Sequence, residues 1–127
     1  MGLLHVGITS SSEERADEFY VALLGLKKAE PWILAAELCH AIFGMDRELT
    51  VINYVGESAH FEVFVCGAAY TSARQIEHAC ITVENLSEFL RKCDTLNVEV
   101  IRVRRGESLI TFVKDADGNL FEIKGRY

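Results

Sequence analysis

The sequence predicts an α+β fold made of two βαβββ units, with a short helix inserted in the first unit. Residues 48–64 align with residues 108–124 at an offset of 60 without a gap, and HVGIT at 5–9 aligns with HACIT at 78–82 at an offset of 73. The 127 residues suit one domain. We therefore expect a single domain over 1–127, with unit one at about 1–66, a linker at about 67–75 and unit two at about 76–127.

In unit one, a short strand is predicted over residues 5–9 and a helix after it. The helix is indicated by apolar residues at helical spacing, namely Ala16, Phe19, Tyr20, Leu23 and Leu24. Ser11 and Glu14 can form a capping box at its start, and Gly25 is expected to end it. Three strands are expected to follow.

Unit two repeats this order. A strand is predicted over 78–83, and the next helix carries the stripe Leu86, Phe89, Leu90, Cys93 and Leu96. Asn85 with Glu88 is expected to cap that helix. Strands are predicted at about 98–103, 108–114 and 119–124, and the turn DADGN joins the last two.

The offsets also indicate an insertion in unit one. The separation from the first histidine to the matching glutamate is longer there, and the stretch from Trp32 to Gly44 accounts for the difference. It follows Pro31, ends on a glycine and has apolar residues at helical spacing, so we predict a short inserted helix.

Composition and charge exclude several functions. The net charge of −6 would repel phosphate backbones, so we expect no nucleic-acid partner. No apolar run approaches the ~20 residues that cross a bilayer, and the start lacks a signal-peptide pattern. We expect a cytoplasmic protein without membrane contact, and its four cysteines lack C-x-x-C spacing and are expected to be reduced thiols.

Four polar residues recur in register on otherwise apolar strands: His5 with Glu62, and His78 with Glu122. A single histidine or glutamate on a strand is usually structural or solvent-exposed. Burying an unpaired carboxylate costs several kcal/mol, however, so four such groups on apolar strands need a shared partner. If the two units pack with pseudo-twofold symmetry, two imidazoles and two carboxylates meet, and this donor set suits a divalent transition metal.

Several segments resemble the vicinal oxygen chelate superfamily: HVGIT, EFYVALLGL, IEHACITV and FVKDADGNLFEIK. This superfamily includes glyoxalase I, methylmalonyl-CoA epimerase, fosfomycin- and bleomycin-resistance proteins and ring-cleaving dioxygenases. The resemblance covers nearly the whole chain. It implies a mixed-sheet half-barrel around a cleft, with metal ligands at His5, Glu62, His78 and Glu122. A glutamate at the second ligand position is the glyoxalase I pattern.

The resemblance implies a metal-dependent lyase or isomerase. A divalent ion (Zn, Ni, Co, Mn or Fe) would bind two adjacent oxygens of a small metabolite, and Glu122 or Glu62 would move a proton next to a carbonyl. Strand alternation adds residues expected to line the substrate cavity, namely Thr9, His60, Phe64, Cys80, Thr82 and Lys124. Cys80 is expected to be a cavity wall, and His60 a solvated residue, a substrate contact or a second acid/base.

One departure bears on the substrate. Glyoxalase I carries glutathione-binding arginine and asparagine residues at positions that are Thr9 and Cys66 here, so we do not expect lactoylglutathione specificity. Arginines 102, 104 and 105 could contact an acidic substrate or simply face solvent. The alternatives are a metal-free binding protein of the bleomycin-resistance type, or a dioxygenase or thiol transferase of the same superfamily. A homodimer that acts on a small molecule is expected.

Overall fold

The computed structural model describes residues 4–68 and 78–126, without the side chain of Arg105. The chain divides into two compact units, Met1–Thr71 and Ser72–Tyr127. Positions 69–75 of the predicted linker lie outside the described residues. Each unit has one sheet with helical segments beside it, so the predicted α+β class with paired βαβββ modules is confirmed. In the described part of the chain, no helix has the length and apolar character needed to span a bilayer.

The described residues of unit one form five strands and two helices. The helices are α1, which is α-helical over Glu13–Ala16 and π-helical over Asp17–Leu23, and α2 (Ala36–Phe43). The strands are β1 (Val6–Ser10), β2 (Lys27–Lys28), β3 (Trp32–Leu34), β4 (Leu49–Val55) and β5 (His60–Val65). The sheet order is β1-β5-β4-β2, and β3 also pairs with β4. β1 runs parallel to β5, and the other pairs are antiparallel.

Unit two has the unmodified βαβββ order. Its elements are β6 (His78–Asn85), α3 (Leu86–Thr95), β7 (Glu99–Arg105), β8 (Ser108–Lys114) and β9 (Leu120–Arg126). The sheet order is β6-β9-β8-β7, with β6 parallel to β9. In each unit the first strand therefore lies beside the last one, and the two begin at nearly the same level, with Val6 opposite Phe61 and His78 opposite Leu120.

Alternation along the last strand of each unit separates a core face from a second face. Phe61 and Val63 of β5, like Phe121 and Ile123 of β9, are at most 3% exposed. In unit one the core face meets α1, where Tyr20 stacks on Tyr54 with ring centroids 5.0 Å apart. The glutamates between the buried residues therefore point to the other face, which is only partly buried.

Two local predictions are wrong. Ser12, not Ser11, caps α1, because its side chain accepts the Arg15 N–H at 3.2 Å. The stretch from Trp32 to Gly44 is not helical throughout, since it begins with β3, which pairs with β4 before α2 starts. The predicted end at Gly44 is confirmed, with a left-handed φ of 69° that favours glycine. The cap of α3 is also confirmed, because Asn85 accepts the Glu88 N–H at 2.8 Å.

The predicted ungapped alignment of the two repeats is also wrong for one pair of strands, β4 and β8. Glu62 faces Asn53 in the ladder, whereas its counterpart Glu122 faces Phe112, so β4 and β8 correspond at an offset one residue shorter than β5 and β9. The cause is the hairpin loop, which is GESA in unit one and the longer DADGN in unit two. A shift of one residue moves a side chain to the opposite face of a sheet. Ile52, which the sequence repeat aligns with Phe112, therefore lies on the core face, whereas Phe112 shares the face of Glu122.

Candidate metal centre

The first predicted ligand pair lies on the partly buried face of unit one. β1 runs beside β5 with Gly7 opposite Glu62, and His5 lies just before β1. The His5 Nε2 is 3.5 Å from the Glu62 Oε2, and the two side chains are 39% and 21% exposed. The pairing of the first and last strand thus joins residues that are far apart in sequence.

Unit two holds the second pair in a similar arrangement. His78 is the first residue of β6, and Cys80 lies opposite Glu122 of β9. The His78 Nε2 is 3.8 Å from the Glu122 Oε2, with the side chains 36% and 22% exposed. Both pairs are therefore partly exposed to solvent.

The spacing within each pair suits two ligands of one metal ion. The separations of 3.5 Å and 3.8 Å exceed the usual length of a hydrogen bond. Two donors that each lie about 2.1 Å from a metal at a tetrahedral angle are about 3.4 Å apart. Imidazole nitrogen and carboxylate oxygen are both ordinary ligands of divalent transition metals, so the residues of each pair fit such an ion.

The structure describes the ligand candidates as one pair within each unit. Among the described residues, no group of three or more His, Cys, Asp or Glu side chains is placed to hold a metal. A site that joins His5, Glu62, His78 and Glu122 stays a prediction.

His60 belongs to a small polar group beside the first pair. Its Nε2 lies 2.7 Å from the Asn53 Oδ1, and because an amide oxygen can only accept, this nitrogen donates. Its ring centroid is 5.5 Å from that of His5. His60 is therefore partly buried and held by a specific partner. This contact argues against a freely solvated side chain, whereas a substrate contact and a second acid/base both stay predictions.

Glu122 has a different environment. The Lys124 Nζ is 3.6 Å from the Glu122 Oε1, and the His78 ring packs against Phe112 with centroids 5.4 Å apart. Burial, and then the negative charge of Glu122, raise the pKa of the Cys80 thiol. A protonated thiol is a weak nucleophile, which argues against a nucleophilic role for Cys80, and its place in the cavity wall stays a prediction.

The other cavity candidates lie on the same strands. Thr9 faces Phe64 in the β1–β5 ladder, and Thr82 faces Lys124 in the β6–β9 ladder. A pocket of about 730 Å³ in unit two includes Glu122 and Lys124 in its lining, with Thr111 and the first residues of β8. Arg102 and Arg104 are exposed on β7.

Two residues near the pairs were not singled out from the sequence. Asn53 faces Glu62 across the β4–β5 ladder and holds His60, and Phe112 faces Glu122 and packs on His78. A polar residue within the apolar segment VINYV was the available signal for Asn53. The register difference described above hid the correspondence between these two positions.

A family model for the Glyoxalase/Bleomycin resistance protein/Dioxygenase superfamily matches residues 2–123. The chain belongs to this superfamily. The resemblance drawn from the sequence segments is thereby confirmed. No curated protein matches the chain significantly.

Solved structures of other superfamily proteins share the fold. A glyoxalase family protein from Bacillus cereus is 17% identical, with 97% of this chain and 92% of that chain covered and a TM-score of 0.74. The fosfomycin resistance protein FosX from Listeria monocytogenes is 13% identical, with 100% and 94% covered and a TM-score of 0.73. A glyoxalase family protein from Enterococcus faecalis is 18% identical, with 96% and 95% covered and a TM-score of 0.70. At these identities the similarity concerns the fold alone.

Proposed function

We propose that this superfamily member is a metal-dependent lyase or isomerase of the glyoxalase type. It would bind adjacent oxygens of a small metabolite and move a proton on the carbon next to a carbonyl. The observation that carries the proposal is the pair of His–Glu contacts, at 3.5 Å and 3.8 Å, repeated at equivalent positions of the two units. Duplication alone would preserve a fold, but it does not require the same polar pair on the partly buried face of both sheets.

The four side chains have distinct tasks in this proposal. His5 and His78 would hold a divalent ion with Glu62 and Glu122, and the ion would supply Lewis-acid stabilisation of developing negative charge on the substrate oxygen. The carboxylate of Glu122 or Glu62 would accept the proton from the carbon next to the carbonyl and deliver it to the neighbouring atom. Lys124, 3.6 Å from Glu122, distinguishes that carboxylate from Glu62, whose partner His5 lies against the His60 ring instead.

The local structure supports a substrate other than a glutathione adduct. Thr9 and Cys66 stand where glyoxalase I has its glutathione-binding side chains. The Cys66 side chain is 3% exposed, and its thiol donates to the Phe64 carbonyl oxygen at 3.4 Å. It therefore offers no polar group to a peptide-like ligand, and Thr9 is too short to replace an arginine.

Metal content followed by a substrate panel tests the proposal. Protein purified without chelator would be analysed for Zn, Ni, Co, Mn and Fe, then assayed with hemithioacetals, acyl-CoA thioesters and 2-oxo acids. We expect bound metal, activity on one class, and loss of activity in Glu122→Gln. His40→Ala is the matched control, because His40 also contacts an acid, Asp46, but belongs to neither pair.

Four outcomes would contradict the proposal. Metal below about 0.2 per chain, without any gain on adding these ions, would leave the ligand pairs without their role. Retention of both metal and activity in Glu122→Gln would remove the assigned function of that carboxylate. Tight binding of a drug-like ligand without metal would favour a bleomycin-resistance type of function, and oxygen consumption with a catechol would favour a dioxygenase.

A further inference from the structure

A second pocket lies within unit one, next to the His5–Glu62 pair. Its volume is about 200 Å³. Its lining is almost entirely apolar and consists of Gly7, Ile8, Thr9, Phe43, Met45, Leu49, Phe64 and Cys66. Nothing in the repeat predicted this pocket, because two of its walls come from the end of the inserted segment and the residues that follow it.

The inserted helix is fixed firmly enough to form a wall. Cys39 of α2 is fully buried in a cluster with Leu34, Leu49 and Val51, and Met45 and Phe64 pack against this cluster. The Phe43 ring meets the Phe64 ring edge-on, with centroids 5.2 Å apart. These contacts hold the far side of the pocket in place over the strands.

The pocket continues the surface that carries Glu62. Glu62 and Phe64 are two residues apart and therefore lie on the same face of β5, and their partners on β1 are Gly7 and Thr9. Two residues along a strand correspond to about 6.6 Å, so a small molecule whose oxygens meet the Glu62 region can extend into the pocket. Gly7 leaves the connecting space open, whereas Cys80 occupies the corresponding position beside Glu122.

Size and polarity restrict the occupant. An engineered protein cavity of about 150 Å³ binds benzene, so a pocket of this volume admits a phenyl ring or a chain of about six carbons. Thr9 is the hydroxyl-bearing residue of the lining, and the Cys66 thiol is engaged by the Phe64 carbonyl. A charged or strongly hydrated group would lose its solvation there without gaining partners.

We infer that this pocket is a subsite for a compact apolar substituent of the substrate, an aryl group or a short alkyl chain. This inference rests on the proposed function in that it treats the pocket and the His5–Glu62 pair as parts of one substrate site. The substrate class would then be a small molecule with adjacent oxygens at one end and an apolar group of about six carbons at the other.

Neutral alcohols and metal-free protein test the subsite independently of catalysis. With chelator present, 1-butanol, 1-hexanol, 1-octanol and benzyl alcohol would be titrated while the ¹³C-methyl signals of Met45 and Ile8 are followed. Met45 is one of two methionines in the chain, so its signal is easily assigned. We expect saturable shifts, with affinity rising about fourfold per methylene up to about six carbons and then levelling off.

Three variants sharpen this experiment. Gly7→Val fills the entrance, where a Cβ would lie 3.5 Å from the Phe64 Cε2, and is expected to reduce hexanol affinity at least tenfold. Ala41→Val adds bulk at an exposed position of α2 that does not line the pocket and is expected to leave affinity unchanged. Phe43→Ala, at a residue that is 49% exposed, enlarges the pocket and is expected to move the limit to longer chains.

Several results would overturn the inference. Affinity that does not depend on chain length, or equal shifts in Gly7→Val and the parent protein, would show that the alcohols bind elsewhere. Affinity that still rises beyond octanol would indicate an extended lipid-like surface, and a Met45 shift that depends on protein concentration without probe would indicate a second copy of the chain. Alcohol binding in a protein that never takes up metal would refute the proposed function alone, and metal uptake without alcohol binding would refute the subsite alone.

Discussion

Replacing Tyr54 with phenylalanine tests how unit one is held together beneath its ligand pair. Tyr54 is fully buried, and its hydroxyl donates to the Asp17 Oδ1 at 2.8 Å, while Lys28 donates to the Oδ2 of the same carboxylate. A hydrogen bond to a charged group contributes about 1.5–3 kcal/mol. Because the Asp17 side chain is 39% exposed, the lower value applies. Tyr54→Phe should therefore lower the free energy of unfolding by about 1.5 kcal/mol.

Urea unfolding measures this difference. For m values of 1–3 kcal/mol/M, a loss of that size lowers the midpoint by about 0.5–1.5 M. A double-mutant cycle with Asp17→Ala separates the hydrogen bond from other effects, and we expect a coupling energy of about 1 kcal/mol. A loss below about 0.5 kcal/mol, or strict additivity of the two substitutions, would refute this account of the contact.

The same variant has a defined pH dependence. Burial, and then the hydrogen bond to Asp17, raise the pKa of Tyr54 far above the ordinary tyrosine value of 10.0. The unfolded chain releases this proton near pH 10 but the folded chain retains it, so the stability contributed by Tyr54 is complete below pH 10 and falls above it. The difference in stability between the parent protein and Tyr54→Phe should therefore shrink above pH 10, and a constant difference would contradict the assignment.

Two further predictions concern the second unit. Cys80 is the exposed cysteine and the other three are buried, so a disulfide reagent should label this one thiol first in folded protein, although its raised pKa slows the reaction at pH 8. Burial raises the pKa of Cys93 to about 11 and should keep that thiol unreactive at the same pH. Rapid labelling of two or more thiols would contradict this. Gly125→Ala would place a Cβ 2.5 Å from the Val83 carbonyl oxygen and should destabilise the fold by about 1–3 kcal/mol in thermal unfolding. Gly7→Ala, with its nearest contact at 3.5 Å, should change stability by less than about 0.5 kcal/mol.

The repeat made much of the fold predictable. Apolar residues that alternate along a strand, or recur every 3.6 residues along a helix, can be recognised in a single sequence. Because both patterns occur in the two repeats, the order of strands and helices could be predicted. Asn85 was recognised as a cap because an asparagine that directly precedes a helical apolar stripe is a preferred N-cap residue. At the start of α1, by contrast, three serines stand in a row, and composition alone could not choose among them.

What the sequence could not show depends on contacts between distant segments. β3 is only three residues long, and it is a strand because β4 offers backbone partners, not because WIL has a distinctive pattern. The register of β4 against β5 depends on a hairpin loop that is shorter than its counterpart. An ungapped alignment maximises identical residues, and it therefore matched Leu49 with Leu109. The hydrogen-bonded ladders instead relate β4 to β8 at an offset one residue shorter.

The candidate site shows the same division. His5 and Glu62, like His78 and Glu122, were predicted as partners, and the structure places each pair within 4 Å. Asn53 and the inserted wall of the small pocket emerged only from tertiary contacts. The union of the two pairs in one metal site is a prediction that needs a direct measurement.

X-ray absorption spectroscopy of metal-loaded protein provides that measurement. We expect a divalent ion bound by two imidazole nitrogens and two carboxylate oxygens, with one nitrogen and one oxygen supplied by each unit. His5→Ala and His78→Ala should each reduce the signal to one imidazole or abolish binding. A spectrum with a single imidazole in the parent protein, or one that changes in only one of these two variants, would contradict a shared four-ligand centre.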